Sequence, residues 1–169
     1  HHEWRTPVLC TTDDGLPDAR VVVLRETEAQ TRTLRVYTDA RSAKVSQLLA
    51  QPQAVLVLWS KRLSWQLRVS ATVTVATDGL AVSSRWARLQ LSRAAGDYLA
   101  PLAPGSVVED ADAPSVVEDA TGLLRQEAPP RHHFALLEAQ VQSLDWLELH
   151  PQGHRRARFD AAGARWLQP

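Results

Sequence analysis

The chain has 169 residues, enough for one domain with its own hydrophobic core. Lys plus Arg and Asp plus Glu balance at 19 each, so no net charge draws it to nucleic acid or an anionic membrane. The longest apolar run, residues 54–59, is far shorter than the ~20 residues of a membrane-spanning helix. Cys10 is the only cysteine, which excludes an intrachain disulfide. Together with the lack of a secretory signal pattern, this favours a reducing compartment, the cytoplasm.

The first part of the chain predicts short strands separated by turns. Residues 7–12 predict a strand, and the Asp, Gly and Pro of residues 13–17 predict a turn. Residues 20–25, RVVVLR, predict a strand buried on both faces, because its four central residues are apolar and three are β-branched. Residues 26–32 predict a polar hairpin loop, and residues 34–38 the returning strand.

A helix and a long strand follow. Apolar residues at helical spacing predict a helix over residues 42–51, which Pro52 ends. Residues 54–59 predict another buried strand. Residues 65–76 alternate strictly between apolar and polar side chains, a pattern typical of an antiparallel sheet or barrel with one buried face.

The second half predicts helices, an acidic loop and further strands. After a turn at Asp78 and Gly79 we expect one helix, with a second short helix over residues 92–99. Residues 101–130 predict a long acidic surface loop, in which the sequence SVVEDA occurs twice. Strands are predicted over residues 134–141, 143–150, 155–159 and 164–168. The sum is a mainly β fold of six or seven antiparallel strands with two or three inserted helices, best satisfied by a closed or split barrel that leaves few free edges. We expect a single domain over residues 3–169.

The junction between the 34–38 strand and the next helix predicts an anion site. Ser42 stands at the N-cap position, where backbone N–H groups are unpaired and the helix dipole is positive. Arg41 and Lys44 add two full charges at the same place, which suits a phosphate. The alternative is that Ser42 only caps the helix while Arg41 and Lys44 face water.

Several motifs, in this order, resemble the pyridoxamine 5'-phosphate oxidase family. Arg20 to Arg25, then Tyr37-Thr38, then Ser42 and Lys44 resemble that family's FMN signature. Further along, the resemblance rests on Gln66, Trp146 and the pair Arg158-Phe159. It runs from about Thr11 to the end of the chain, outside the acidic loop, and is greatest to a bacterial branch of related FMN-binding proteins.

The resemblance implies a split β-barrel that forms a homodimer, with FMN in the cleft between the subunits. Arg20, Ser42 and Lys44 would hold the phosphate, with Arg41 as a fourth contact, because a phosphate dianion favours bidentate Arg and a point-charge Lys. Gln66 suits the donor and acceptor rim of the flavin ring, and Arg68 and Arg158 suit the negative charge of reduced flavin. The remaining cofactor residues it implies are Val21, Val22, Leu24, Arg25, Tyr37, Thr38 and Trp146.

The substrate residues depart from the family pattern. The oxidases place Arg-x-His before the final Arg-Phe, whereas this chain has His154-x-Arg156. We therefore doubt pyridoxine phosphate as the substrate, although His154 and Arg156 still suit an anionic small molecule. The leading hypothesis is an FMN-dependent oxidoreductase in which a small substrate gives a hydride to flavin N5, with no side chain acting as acid or base.

Other interpretations remain open. The chain could be a flavin carrier or sensor without turnover, or a barrel that binds another ligand such as haem. Arg20 and Arg25 could be ordinary charges at strand ends, and Trp146 could be plain core or interface packing. The histidines at positions 132, 133, 150 and 154 lack ligand spacing, so no metal site is predicted.

Overall fold

The computed structural model describes residues 2–108 and 133–169. Within these ranges the chain forms nine strands, two α-helices and two short 3-10 helices, Glu3–Arg5 and Arg93–Tyr98. The helices are α1 (Ala43–Ala50) and α2 (Leu80–Leu89). The strands are β1 (Val8–Asp13), β2 (Leu16–Val21), β3 (Leu24–Glu28), β4 (Thr33–Asp39), β5 (Gln53–Ser60), β6 (Trp65–Ala76), β7 (Phe134–Glu148), β8 (Arg155–Asp160) and β9 (Gly163–Leu167). Neither described α-helix is long and apolar enough to cross a membrane.

The strands form one antiparallel sheet that curls into a split barrel. Their order is β2-β1-β5-β6-β7-β4-β3, with β8 beside β7 and β9 beside β8. β2 and β3 stand at opposite ends of this order, yet only Val22 and Val23 join them. Because so short a link spans roughly 10 Å, the sheet must curve until its two ends meet. The mainly β, antiparallel fold predicted from the sequence is confirmed.

The barrel core lies between the inner faces of the strands and helix α1. Leu9, Leu56 and Val69 belong to this core with Val45 and Leu48 of α1. β6 spans Trp65–Ala76, as its alternating pattern predicts, and its inward residues Val69, Ala71 and Val73 are buried. A second cluster, with Val82 and Phe134 at its centre, packs α2 against the start of β7.

The last part of the sheet is built on one long strand rather than two. β7 runs unbroken over the predicted break near residue 142, where its pairing with β6 shifts by one residue. The first half of β7 pairs with β4 and the second half with β8. Such a bulge bends a strand without ending it. The prediction of two separate strands here is therefore wrong.

Two further predictions about the strands are wrong. Residues 20–25 form no continuous buried strand, because β2 ends at Val21, which is 65% exposed, and β3 begins at Leu24. The apolar run crosses the seam of the barrel, where Val22 turns inward and its N–H donates to the Pro7 carbonyl (2.9 Å). The strand predicted to be buried over residues 54–59 is β5, and one of its faces is open, with Trp59 48% exposed. Most of the predicted acidic loop, residues 109–132, lies outside the described residues.

Candidate functional site

A cleft of about 250 Å³ opens at the seam where β2, β3 and β4 meet α1. We call it the seam cleft. It brings together seven residues predicted to bind a cofactor, and it adds Val23, Asp97 and Tyr98. The seven are Arg20, Val21, Val22, Arg25, Tyr37, Thr38 and Lys44.

The predicted phosphate seat forms one end of this cleft. Thr38 Oγ1 accepts a hydrogen bond from Lys44 Nζ (3.1 Å) and lies 3.2 Å from Ser42 Oγ. Ser42 is the N-cap residue of α1, yet its hydroxyl donates backwards to the Asp39 carbonyl (2.8 Å) and does not cap the helix. Burial, and then the nearby Arg20 charge, lowers the pKa of Lys44. A bound anion would relieve this repulsion between two cations.

Arg20 is oriented by residues that the sequence analysis did not single out. Its guanidinium pairs with Asp18 and donates to Thr11 Oγ1 (2.5 Å) and Gln47 Oε1 (3.0 Å). Gln47 also donates to Asp18 Oδ2 (2.9 Å), and this bond, more than the Arg20 charge, lowers the pKa of Asp18. Gln47 is a buried polar residue on the apolar face of α1, which is the signal that sequence reading could have used.

Glu26 ties the cleft to helix α2. Its carboxylate accepts hydrogen bonds from Tyr37 and from two nitrogens of Arg85 (2.8 and 2.7 Å), and lies 3.5 Å from Arg35. The Arg85 hydrogen bonds, partly opposed by burial, lower the pKa of Glu26 to about 2. Burial, then the hydrogen bond to Glu26, raises the pKa of Tyr37 to about 12. The Tyr37 hydroxyl is therefore fixed as a donor to Glu26.

Arg25 and Leu24 occupy different positions on β3. The Arg25 guanidinium lies 5.8 Å from the centre of the Tyr37 ring and lines the seam cleft. Its Nε atom is buried and has no hydrogen-bond acceptor in the described part of the chain. Leu24 is half-buried and pairs with Val36, but it is not among the residues that line the cleft.

Arg41, the predicted fourth phosphate contact, does not line the cleft. Its guanidinium pairs with Asp39 (2.7 Å) and donates to the backbone carbonyls of residues 100–102. The structure therefore separates Arg41 from Thr38, Ser42 and Lys44, although it lies next to Ser42 in sequence.

The remaining predicted residues form a second group on the outside of the sheet. Gln66 pairs with Leu147 of β7, which pairs on its other side with Arg156 of β8. In the same way Arg68 pairs with Asp145, which pairs with Arg158. Directly paired residues project to the same side of a sheet, so Gln66, Arg68, Arg156 and Arg158 share one face. We call this set the outer-face group. None of its members lines the seam cleft.

Ion pairs shape the outer-face group. Arg156 donates two hydrogen bonds to Asp145 (3.0 and 2.8 Å), which lower the pKa of that carboxyl. Arg158 donates a long hydrogen bond to Ser143 Oγ (3.4 Å) and lies 3.4 Å from Asp160. Arg68 and Arg158 are exposed, whereas Arg156 is half-buried.

Trp146 projects to the opposite side of the sheet from Gln66. It pairs with Leu67 and Ala157, and its ring contacts Trp65 edge-on at 5.4 Å between centroids. Arg155 covers the same ring at 5.8 Å. The Nε1 atom is buried without a hydrogen-bond partner among residues 2–108 and 133–169. The structure thus places Trp146 in a tryptophan cluster apart from both groups.

The histidines lie elsewhere. His154 sits in the exposed turn between β7 and β8, where its Nδ1 accepts from the His150 N–H (3.2 Å). His132 lies outside the described residues. Among the described residues, no three His, Cys, Asp or Glu side chains are grouped as metal ligands. A cavity larger than the seam cleft, about 390 Å³, opens beside Phe159 and Arg32, but none of the predicted site residues lines it.

Comparison with known proteins decides the family. Residues 1–77 match the model described as "Pyridoxamine 5'-phosphate oxidase, FMN-binding domain". Pyridoxine/pyridoxamine 5'-phosphate oxidase of Caulobacter vibrioides is 31% identical over 156 residues, covering 90% of this chain and 68% of that protein. The chain belongs to the pyridoxamine 5'-phosphate oxidase family. The corresponding protein of Azorhizobium caulinodans is 35% identical over 139 residues, 79% of this chain and 64% of that one.

Solved structures of other proteins share the fold. A pyridoxamine 5'-phosphate oxidase-related, FMN-binding protein from Nostoc punctiforme superposes with a TM-score of 0.70 at 22% identity, over 98% of this chain and 88% of that one. PhzG from Burkholderia lata, solved with tetrahydrophenazine-1-carboxylic acid, gives a TM-score of 0.71 at 17% identity, over 99% and 84%. At these identities the likeness concerns the fold.

The family membership gives FMN as the cofactor, and the seam cleft fits it. The matched domain is FMN-binding, and its match covers β1 to β6 and α1, the elements that carry the phosphate seat. A half-buried Lys44 whose pKa is lowered beside Arg20 is a site that an anion would stabilise. The orphaned Arg25 Nε, buried at the same cleft, is a further donor that such a ligand would satisfy.

Proposed function

We propose that the chain is an FMN-dependent oxidoreductase that works as a homodimer. The observation that carries this proposal is the seam cleft, where Arg20, Thr38 and Lys44 converge at the N-terminus of α1. Cations, hydroxyls and helix N–H groups together form a phosphate site. When bound there, FMN supplies a hydride acceptor at its N5 atom.

The division of the predicted residues into two groups supports the dimer. At about 250 Å³, the seam cleft is smaller than the ~300–1,000 Å³ usual for small-molecule sites. Gln66, Arg68 and Arg158 lie on an outer face of the same chain and do not reach it. A second copy that applies its outer-face group to the cleft would complete the site, as a two-fold interface allows.

In this arrangement the protein residues orient and stabilise rather than react. Arg20 and Lys44 hold the phosphate, and Tyr37, fixed by Glu26, lines the cleft beside Thr38. The outer-face Gln66 donates to and accepts from the ring edge, while Arg68 and Arg158 stabilise negative charge on the reduced ring. Apolar Val21 and Val22, which line the cleft, would keep water from the ring, whereas Leu24 lies outside the cleft lining.

The substrate is proposed to be a small molecule other than pyridoxine phosphate. Arg156 shares the outer face with Arg158, but its two hydrogen bonds to Asp145 already balance its charge. His154 is engaged in its own turn. The ground for this proposal is the sequence, which has His154-x-Arg156 where the oxidases have Arg-x-His.

Anaerobic reduction tests the activity. The protein, loaded with FMN and freed of excess, is mixed in turn with pyridoxine and pyridoxamine 5'-phosphates, NADH and NADPH, while absorption at the ~450 nm flavin band is followed. We expect loss of this band with at least one reductant and little change with the vitamin phosphates. If no compound in a broad panel of reductants bleaches a fully loaded protein, the carrier or sensor function replaces the oxidoreductase.

A further inference from the structure

The contacts of Arg41 assign it a structural task next to the cofactor rather than contact with the phosphate. Its Nε donates to Asp39 Oδ1 (3.1 Å) and its Nη2 to Asp39 Oδ2 (2.7 Å). The same guanidinium donates to the carbonyls of Ala100 (2.8 Å), Pro101 (3.1 Å) and Leu102 (3.3 Å). Most of its five N–H groups are therefore directed at protein acceptors.

The three carbonyls belong to the segment that follows the 3-10 helix Arg93–Tyr98. The last carbonyls of a helix, and those just beyond it, lack intrahelical donors, and a nearby Arg can satisfy them. Residues 100–102 form no strand, so sheet hydrogen bonds do not hold them either. Arg41 links this segment to the β4–α1 junction.

A second set of hydrogen bonds holds the chain next to this segment. The Ala40 N–H donates to the His133 carbonyl (2.7 Å), and the His133 N–H donates to the Tyr98 carbonyl (2.9 Å). Tyr98 is buried, with its ring 5.3 Å from that of Phe134. Ala40, through its backbone, and Arg41, through its side chain, thus hold the segment that carries Asp97 and Tyr98. Both of these residues line the seam cleft.

The carboxylate of Asp39 fixes the guanidinium of Arg41, and we call this pair the anchor. Asp39 has only 4% of its side chain exposed, and it also accepts the Arg41 backbone N–H (2.7 Å). Burial alone would raise the pKa of this carboxyl, but the hydrogen bonds from Arg41 outweigh it and the pKa is lowered. The pair therefore stays ionised at neutral pH, and its geometry is bidentate.

We propose that Arg41 is a positioning residue that, through Asp39 and the carbonyls of residues 100–102, holds Asp97 and Tyr98 as a wall of the FMN cleft. It does not contact the phosphate. This inference rests on the proposed FMN site and deepens it, because it names what holds one wall of the cleft in place. The wall would contact the part of the ligand that FMN and riboflavin share.

The test compares Arg41→Lys with the unmodified chain, using FMN and riboflavin as probes. Lys keeps the positive charge beside Asp39, but its single ammonium cannot reach the carboxylate and three carbonyls together. We expect the dissociation constants of FMN and riboflavin to rise by the same factor, roughly 3- to 10-fold, as for one or two lost hydrogen bonds. Arg62→Lys, at a residue whose side chain is 72% exposed, is the matched control and should change neither.

Two outcomes overturn the proposal. If FMN binding weakens while riboflavin binding does not, Arg41 touches the phosphate. If neither constant changes, the wall does not depend on Arg41. Should Arg41→Lys fail to fold, Asp39→Asn takes its place, since the Asn amide oxygen can still accept a hydrogen bond from Arg41 while the ion pair is lost.

Hydrogen exchange separates this inference from the proposed function. In flavin-free protein, Arg41→Lys should accelerate amide exchange in residues 98–103 and leave β5 and β6 unchanged, whether or not the protein has any activity. Unchanged exchange in residues 98–103 contradicts the anchor itself. A chain that binds neither flavin contradicts the FMN site, while the exchange result still stands.

Discussion

The seam cleft and the outer-face group differ in how completely the single chain builds them. In the cleft, Arg20 and Tyr37 are each held by a protein partner, Asp18 with Gln47 in one case and Glu26 in the other. On the outer face, Arg68 and Arg158 are exposed. Side chains that are already ordered lose little conformational entropy when a ligand binds. Exposed side chains become ordered only through contact with a partner, and this ordering costs free energy. The difference supports the proposal that one copy holds the phosphate end of FMN and that a second copy completes the ring end.

Removing a cation from the phosphate seat should have the largest effect. Loss of one charge-assisted contact costs ~1.5–3 kcal/mol, so Arg20→Ala and Lys44→Ala should each weaken FMN binding about 10- to 100-fold. Riboflavin, which has no phosphate, should bind these variants as it binds the parent. Fluorescence titration measures both constants, and Lys61→Ala is the control for Lys44. FMN binding by Arg20→Ala as tight as that of the parent would remove Arg20 from the seat.

Breaking the Glu26 network tests whether the cleft is preorganised. The pKa of Glu26 is lowered from 4.5 to about 2 in the folded state, so the stabilisation is complete above about pH 5 and is lost as the pH falls towards 2. The Glu26 side chain is 28% exposed, and after allowance for solvent we expect Glu26→Gln to lower the free energy of unfolding by about 2 kcal/mol at pH 7.

Urea unfolding of flavin-free protein at pH 7, 5 and 3 measures this effect. The difference between the parent and Glu26→Gln should be nearly the same at pH 7 and pH 5 and clearly smaller at pH 3. Glu28→Gln, two residues along β3, controls for the loss of a carboxylate. A pH-independent difference would mean that Glu26 acts through packing and not through its charge.

The outer-face group should matter through a second copy of the chain. Gln66→Ala combined with Arg68→Ala should weaken FMN and riboflavin about 10-fold alike, because both residues are assigned to the ring. Unfolding this variant together with Arg20→Ala and refolding the mixture tests whether the cleft of one copy and the outer face of another form one site. Random assortment gives mixed dimers in which one site is intact, about one quarter of all sites. If the mixture recovers no tight site, the cleft and the outer face of different copies do not form one site.

Trp146 should give the smallest effect. Its ring faces the tryptophan cluster, on the opposite side of the sheet from Gln66. Trp146→Phe should therefore leave FMN affinity within about twofold and lower stability by ~1 kcal/mol, as for a partly buried aromatic truncation. FMN titration measures the affinity, and urea unfolding in parallel measures the stability. A larger loss of FMN affinity without loss of stability would place Trp146 at the cofactor.

The sequence predicted what depends on local pattern and missed what depends on the closure of the barrel. Strict alternation identified β6 to the residue, and the order of motifs from Arg20 to Lys44 led to the correct family and cofactor. The same apolar run around Arg20 hid the end of β2, because hydrophobicity does not show where a sheet turns at its seam. Gln47 contacts Arg20 across 27 residues, a pairing that only the folded barrel creates.

For Arg41 the sequence and the structure indicate different partners. Its place beside Ser42 suggested a phosphate contact, since charge near a helix N-terminus predicts an anion site. The structure directs its guanidinium to residues some 60 positions further along the chain. A motif specifies which residue types are present, but the partners of a long side chain depend on the tertiary fold.

The most direct test of the account is a paired titration of the unmodified chain with FMN and with riboflavin, followed at the flavin fluorescence. We expect saturable binding of one FMN per chain, with riboflavin at least about 100-fold weaker, because the phosphate seat contributes two or more charge-assisted contacts. Equal affinities for the two flavins would contradict the phosphate seat, and with it the central claim.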